Sequence, residues 1–87
     1  MASYSLFVKK SVSKDLRAVP KRDVARILKR IERLARDPHG SGCERLAGRE
    51  LYRVRQGSYR ILYEIHDADR SIVIIKVAHR SKAYEGA

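Results

Sequence analysis

Residues 51–65 read LYRVRQGSYRILYEI, and three arginines, Arg53, Arg55 and Arg60, interrupt what otherwise alternates as a pair of strands. Gly57-Ser58 fits a two-residue hairpin turn, with glycine first as a type II′ turn requires. That turn sets Gln56 against Tyr59, Arg55 against Arg60, and Arg53 against Leu62. Directly opposed side chains share a face, so all three arginines project from one side of the sheet. Opposed like charges destabilise a hairpin by up to about 1 kcal/mol, and arginine cannot escape by losing its proton. An anion held between the guanidinium groups reverses the sign of that effect. Their planar forks match phosphate oxygens in a geometry that lysine cannot copy. The hairpin therefore reads as a phosphate clamp. The plainer alternatives have Glu64 neutralising one arginine while the others point into water, or a slip of register that changes the pairing.

A second cluster follows the last strand signal. The segment HRSKAY, residues 79–84, brings together an imidazole (His79), a guanidinium (Arg80), an amine (Lys82) and a phenol (Tyr84). The other histidines, His39 after Pro38 and His66 at the start of a turn, read as surface residues. Cys43 is the single cysteine, so no intrachain disulfide forms. It sits beside the small-residue loop 40–42, which suits a reducing compartment, and no sequence neighbour activates it. No pair of His, Cys or carboxylate residues has metal-ligand spacing, and neither GxxxxGK[ST] nor GxGxxG occurs. The expectation is no metal and no nucleotide cofactor.

The formal net charge of +10 on 87 residues is large. It predicts attraction to a polyanion, whether nucleic acid, an anionic membrane or an acidic protein, with nucleic acid or an acidic partner ahead of the plainer reading of a basic protein that is simply soluble. Most of the excess lies between residues 9 and 36, where eleven Lys/Arg face three Asp/Glu. Arg22, Arg26, Lys29, Arg33 and Arg36 recur at three- and four-residue spacing. They read either as a solvated helix face or as a stripe that grips phosphates, with Arg26, Lys29 and Arg33 at its centre. No apolar run is long enough to span a bilayer and no signal peptide is visible, so the expected place is the cytoplasm.

These side chains need a scaffold. Residues 3–8 alternate as a first strand, with Tyr4, Leu6 and Val8 on one side. Residues 12–20 predict a short helix that Ser11 or Ser13 would cap, with Pro20 at its end or at the start of the next. Residues 21–37 form the clearest helix, its apolar stripe made by Val24, Ile27, Leu28, Ile31, Leu34 and Ala35. Asp37-Pro38 with Gly40 and Gly42 ends it. Residues 43–50 read as a loop, followed by strands over 51–56, 59–65 and 71–79 with a turn at 66–69. The order β-α-α-β-β-β predicts one α+β domain over 1–87: a small antiparallel sheet with two helices on one face.

The set LYRVRQGSYRILYEI, the DADR turn, SIVIIKVAHR and SKAY resembles the RelE toxins of the RelE/ParE superfamily. The resemblance covers nearly the whole chain. It implies the toxin of a type II toxin–antitoxin system, an endoribonuclease that cuts mRNA in the ribosomal A site and so stops translation. It also implies a cognate acidic, RelB-like antitoxin, and an RNA cleft on the sheet face away from the helices. By resemblance Arg60 and Arg80 stabilise the phosphate and Tyr84 is the C-terminal catalytic tyrosine. Arg53 and Arg55 stand where RelE members carry basic residues, often lysines, and Lys82 joins the RNA-binding set. Arginine is a poor general base. That role falls to Tyr84 by resemblance, or to His79 by its ordinary pKa near neutrality. The main alternative is a ParE-type toxin, which shares the fold and inhibits DNA gyrase.

Overall fold

A computed structural model describes residues 3–46 and 50–81. Seven elements follow one another: β1 (Ser5–Val8), α1 (Lys10–Arg17), α2 (Lys21–Arg36), β2 (Glu44–Arg45), β3 (Leu51–Gln56), β4 (Tyr59–His66) and β5 (Ser71–His79). The five strands make one sheet in the order β1-β5-β4-β3-β2. Two features depart from the sequence reading. The sheet is mostly antiparallel, but β1 runs parallel to β5, Ser5 beside Ser71 through Val8 beside Ile74. The loop after α2 also contains β2, which pairs Glu44 with Arg53 and Arg45 with Tyr52. A strand of two residues is too short to show alternation.

Helix α1 starts earlier than its sequence signal. Ser11 and Ser13 both lie inside it, Lys9 is its N-terminal cap, and Ser13 Oγ donates to Lys10 O at 2.8 Å instead of capping. Pro20 opens α2, where its missing N–H costs nothing. The three- and four-residue spacing of α2 buries Ile27, Ile31 and Leu34 on the sheet. Leu28, one residue off the centre of that stripe, is instead 45% exposed.

The core lies between the two helices and one sheet face. Val12, Ile27, Ile31 and Leu34 meet Val54, Ile61, Tyr63, Ile65, Ile72, Ile74 and Val77 there. Tyr63 is wholly buried, and its hydroxyl donates to Pro38 O at 2.9 Å, which fastens the end of α2 to the middle of β4. On the α1 side, β1 covers only the first half of β5. Beyond it the Val77 N–H donates to Asp15 Oδ2 at 3.1 Å, so a helix carboxylate satisfies an edge group that the sheet leaves open. No helix among the described residues is long and apolar enough to cross a membrane.

The β4–β5 pairing carries one irregularity. Tyr63 faces Ile74, yet Leu62 faces Lys76, so Ile75 is an extra residue on β5. Every side chain of β5 after Ile75 is thereby moved to the opposite face from the one an unbroken ladder would give it.

The far end of the sheet is stapled by polar groups. The Tyr4 hydroxyl donates to Asp67 Oδ1 at 2.6 Å, and His39 Nε2 lies 3.4 Å from the same oxygen. The Tyr4 bond, then His39, hold the Asp67 carboxyl below its ordinary range, whereas the same bond raises the Tyr4 phenol. A depressed carboxylate stabilises the fold above its unfolded pKa, and that contribution fades as pH falls through the folded value. Tyr4→Phe is expected to return Asp67 toward its ordinary titration and move the onset of acid unfolding to higher pH. Carboxyl titration by NMR, read beside an acid denaturation curve, checks this; an unmoved Asp67 would refute it.

Candidate functional site

The hairpin register follows from the turn chemistry. Gln56 faces Tyr59, Arg55 faces Arg60, Arg53 faces Leu62, and Gly57 takes φ 60° in the connecting turn. Val54 and Ile61, one residue removed, are buried against the helices. Arg53, Arg55 and Arg60 therefore share the sheet face that the helices leave uncovered.

Strand β5 extends this face. Arg60 lies beside Ala78 and Leu62 beside Lys76, so Lys76 joins the arginine side. Arg80 follows Ala78 by two residues, and its backbone N–H donates to Ser58 O at 2.8 Å, which pins it against the hairpin turn. Electrostatics give the same grouping. The Arg60 guanidinium is held below its ordinary pKa, first by desolvation and then by the charges of Arg55, Arg53 and Arg80, with Glu44 acting in the opposite sense. Three guanidinium groups thus act on Arg60. An arginine still keeps its proton in that setting.

One carboxylate enters from β2. Glu44 Oε2 accepts from Arg53 at 3.0 Å; the Arg53 side chain is 12% exposed and Glu44 56%. Glu44 thus neutralises and orients Arg53, the partner that sequence reasoning sought in Glu64. Glu64 is engaged with His66 Nε2 at 3.0 Å. Nothing in the sequence marked Glu44, because its pairing depends on a strand of two residues.

The structure does not bring His79 to this face. His79 faces Tyr59 across the β4–β5 pair, and their rings meet edge to face at 5.5 Å. Tyr59 packs against the core, so both belong to the helix side. The Ser81 N–H donates to His79 Nδ1 at 3.3 Å, which makes Nδ1 an acceptor and leaves the neutral-form proton on Nε2. His79 lines a cleft of about 670 Å³ with Lys14, Asp15, Val19, Tyr59 and Ser81. Arg26, Lys29 and Arg33 are exposed on α2, whose other side is buried on the core. They face away from the arginines. Lys82 and Tyr84 lie outside the described residues.

A solvent-facing sheet surface with converging guanidinium groups can clamp a phosphodiester and stabilise charge that builds on it. The family model for the ParE toxin of type II toxin–antitoxin systems, parDE, matches residues 6–84. A Methanocaldococcus jannaschii protein named as toxin RelE1 is 34% identical over 86 residues, covering 94% of this chain and 96% of its own. The chain belongs to the RelE/ParE superfamily of type II toxins. Toxin RelG of Mycobacterium tuberculosis is 32% identical to it over 85 residues, covering 93% of this chain and 95% of its own. Among solved structures, the RelE–RelB complex of Pyrococcus horikoshii gives a TM-score of 0.81 at 31% identity, covering 94% of this chain and all of that one. The RelBE2 complex of Mycobacterium tuberculosis gives 0.80 at 28% identity, covering 91% of this chain. This RelE-type toxin thus has the family's α+β architecture over nearly its whole length, and Arg53, Arg55 and Arg60 lie on the sheet face its helices leave uncovered.

Proposed function

We propose that this toxin is an endoribonuclease that cuts mRNA in the ribosomal A site, using guanidinium groups to stabilise the transition state. The observation that carries the reading is the convergence of Arg53, Arg55 and Arg80 around Arg60 on one open sheet face. The ribose 2′-oxygen attacks the adjacent phosphorus, and the bond from phosphorus to the 5′-oxygen breaks. The products are a 2′,3′-cyclic phosphate and a 5′-hydroxyl. The 2′-hydroxyl proton passes to a base, and the departing 5′-oxygen takes one up. Arg60 and Arg80 bind the phosphorane oxygens as their charge grows, while Arg53 and Arg55 hold the strand in line.

The base in this reading is Tyr84 rather than His79. An imidazole on the helix side of the sheet does not face a linkage held by Arg60. A phenol serves as a base only as phenolate, and a nearby cation lowers its pKa and so raises the share of phenolate present near neutral pH.

A cognate acidic, RelB-like antitoxin completes the reading. RelE relatives are solved with RelB, and a net charge of +10 calls for an acidic partner. Leu6, Phe7 and Val8 on the edge strand β1 are 38%, 57% and 51% exposed and offer apolar anchors. The matching family model carries the ParE name, which favours gyrase inhibition as the second reading.

End-mapping of cellular mRNA after induction separates the two. Cuts within translated codons that disappear in Arg80→Ala are expected. His79→Gln is expected to keep both the cuts and the pH profile. Intact mRNA together with double-strand DNA breaks would instead establish gyrase as the target.

A further inference from the structure

Glu44 and Arg53 meet on the open face of the sheet. They are directly paired in the β2–β3 register, so their side chains project to the same side. Glu44 Oε2 accepts from Arg53 at 3.0 Å. Its influence reaches further, since the carboxylate opposes the effect of Arg53, Arg55 and Arg80 on Arg60. Glu44 is thus an anion set inside a cluster whose like charges call for one.

The two partners are unequal. The Arg53 side chain is nearly out of water, whereas more than half of the Glu44 side chain stays in it. Releasing the carboxylate costs little, because water takes up its charge and an exposed partner adds little to an ion pair. Leaving the arginine without an anion costs more, because little water reaches it. The pair therefore gives way to another anion far more readily than it simply opens. The fork of Arg53 suits a phosphate as well as a carboxylate. A phosphodiester that also reaches Arg55 and Arg60 gains several forks in exchange for one carboxylate. We propose that Glu44 is a displaceable counter-ion of the cleft: its carboxylate holds Arg53 until an RNA phosphate takes its place, and so it sets how tightly the open face binds its substrate. This rests on the reading that the face takes an RNA phosphate, but it needs no bond to be cut. An anion held by a single fork competes poorly with Glu44, so the same residue favours a strand that spans several arginines.

The test measures binding of the full chain to a short single-stranded RNA, 2′-O-methylated throughout so that it cannot be cleaved. Glu44→Gln keeps the size of the side chain and removes its charge. Glu32→Gln, exposed on α2, removes the same charge away from the arginine face. Near 0.1 M salt Glu44→Gln is expected to bind about three to ten times more tightly than the parent, and Glu32→Gln to stay within about twofold of it. In an Arg53→Ala background the gain from Glu44→Gln should fall to that of the control. Inorganic phosphate should also raise the melting temperature of Glu44→Gln more than that of the parent. Weaker binding by Glu44→Gln would make the carboxylate a fixed support of Arg53 and overturn the proposal. So would equal gains in the two single variants, or a gain that persists undiminished without Arg53. Cleavage of mRNA is read separately. A parent that binds the RNA, loosened by Glu44 as expected, but cuts no mRNA would sink the endonuclease reading and leave this one standing. A parent that cuts mRNA while Glu44→Gln binds no better would do the reverse.

Discussion

Arg60→Ala is expected to lower mRNA cleavage by roughly a hundredfold or more while the protein stays folded, because it removes a central donor to the charged phosphate. Arg60 stands where the charges of Arg53, Arg55 and Arg80 act together. Arg60→Lys keeps the charge but not the fork, so it should recover only a small part of the rate. Stability should hold or rise, since the Arg55–Arg60 pair is repulsive without an anion. The same reasoning predicts that inorganic phosphate raises the melting temperature of the parent more than that of Arg60→Ala. Turnover assays with purified variants, paired with thermal melts, provide the check. A folded Arg60→Ala protein with undiminished cleavage would remove Arg60 from the chemistry.

Ile61→Ala should be one of the most damaging aliphatic core truncations that leave every cation in place. Ile61 is wholly buried on β4, flanked in register by Val54 on β3 and Val77 on β5, both also buried. It lies directly behind the arginine face, on the side that meets the helices. Truncation leaves a cavity that three paired strands cannot close, at a cost of about 2–5 kcal/mol. A domain this small has only about 5–15 kcal/mol to lose. The midpoint of thermal unfolding should drop by about 10 °C or more. Leu28→Ala, at a half-exposed helix position, should change stability by no more than about 0.5 kcal/mol. Denaturant titration of both variants tests the contrast; comparable losses would mean that Ile61 is not the packing centre the register makes it.

Some of this was legible before any fold was known. Gly57-Ser58 fixed the hairpin turn, and with it the meeting of Arg55 and Arg60, because a two-residue turn leaves no freedom of register. The spacing of Ile27, Ile31 and Leu34 set both the buried side of α2 and, by exclusion, its cationic side. Other features had no local signal. Glu44 reaches Arg53 only because two residues of a loop add to the edge of β3. Asp15 meets Val77 only because β1 stops short of the end of β5. Both contacts join residues far apart in sequence, and neither leaves a periodic trace.

What the sequence by itself determined was an inventory: permanent cations, a hairpin that sets three of them on one face, and an amphipathic helix to cover the other. The tertiary structure decided which groups near the end of β5 join that face. Without the extra residue at Ile75, an unbroken ladder would put Arg60 opposite Val77, with His79 on the arginine side and Arg80 behind it. The bulge shifts the pairing by one, sends Val77 into the core and His79 toward Tyr59, and leaves Ala78 beside Arg60 with Arg80 next in line. A strand has a period of two, so a single unpaired residue exchanges the two faces. The choice between ladder and bulge depends on how β4, β5 and the helices pack together, which no local pattern encodes.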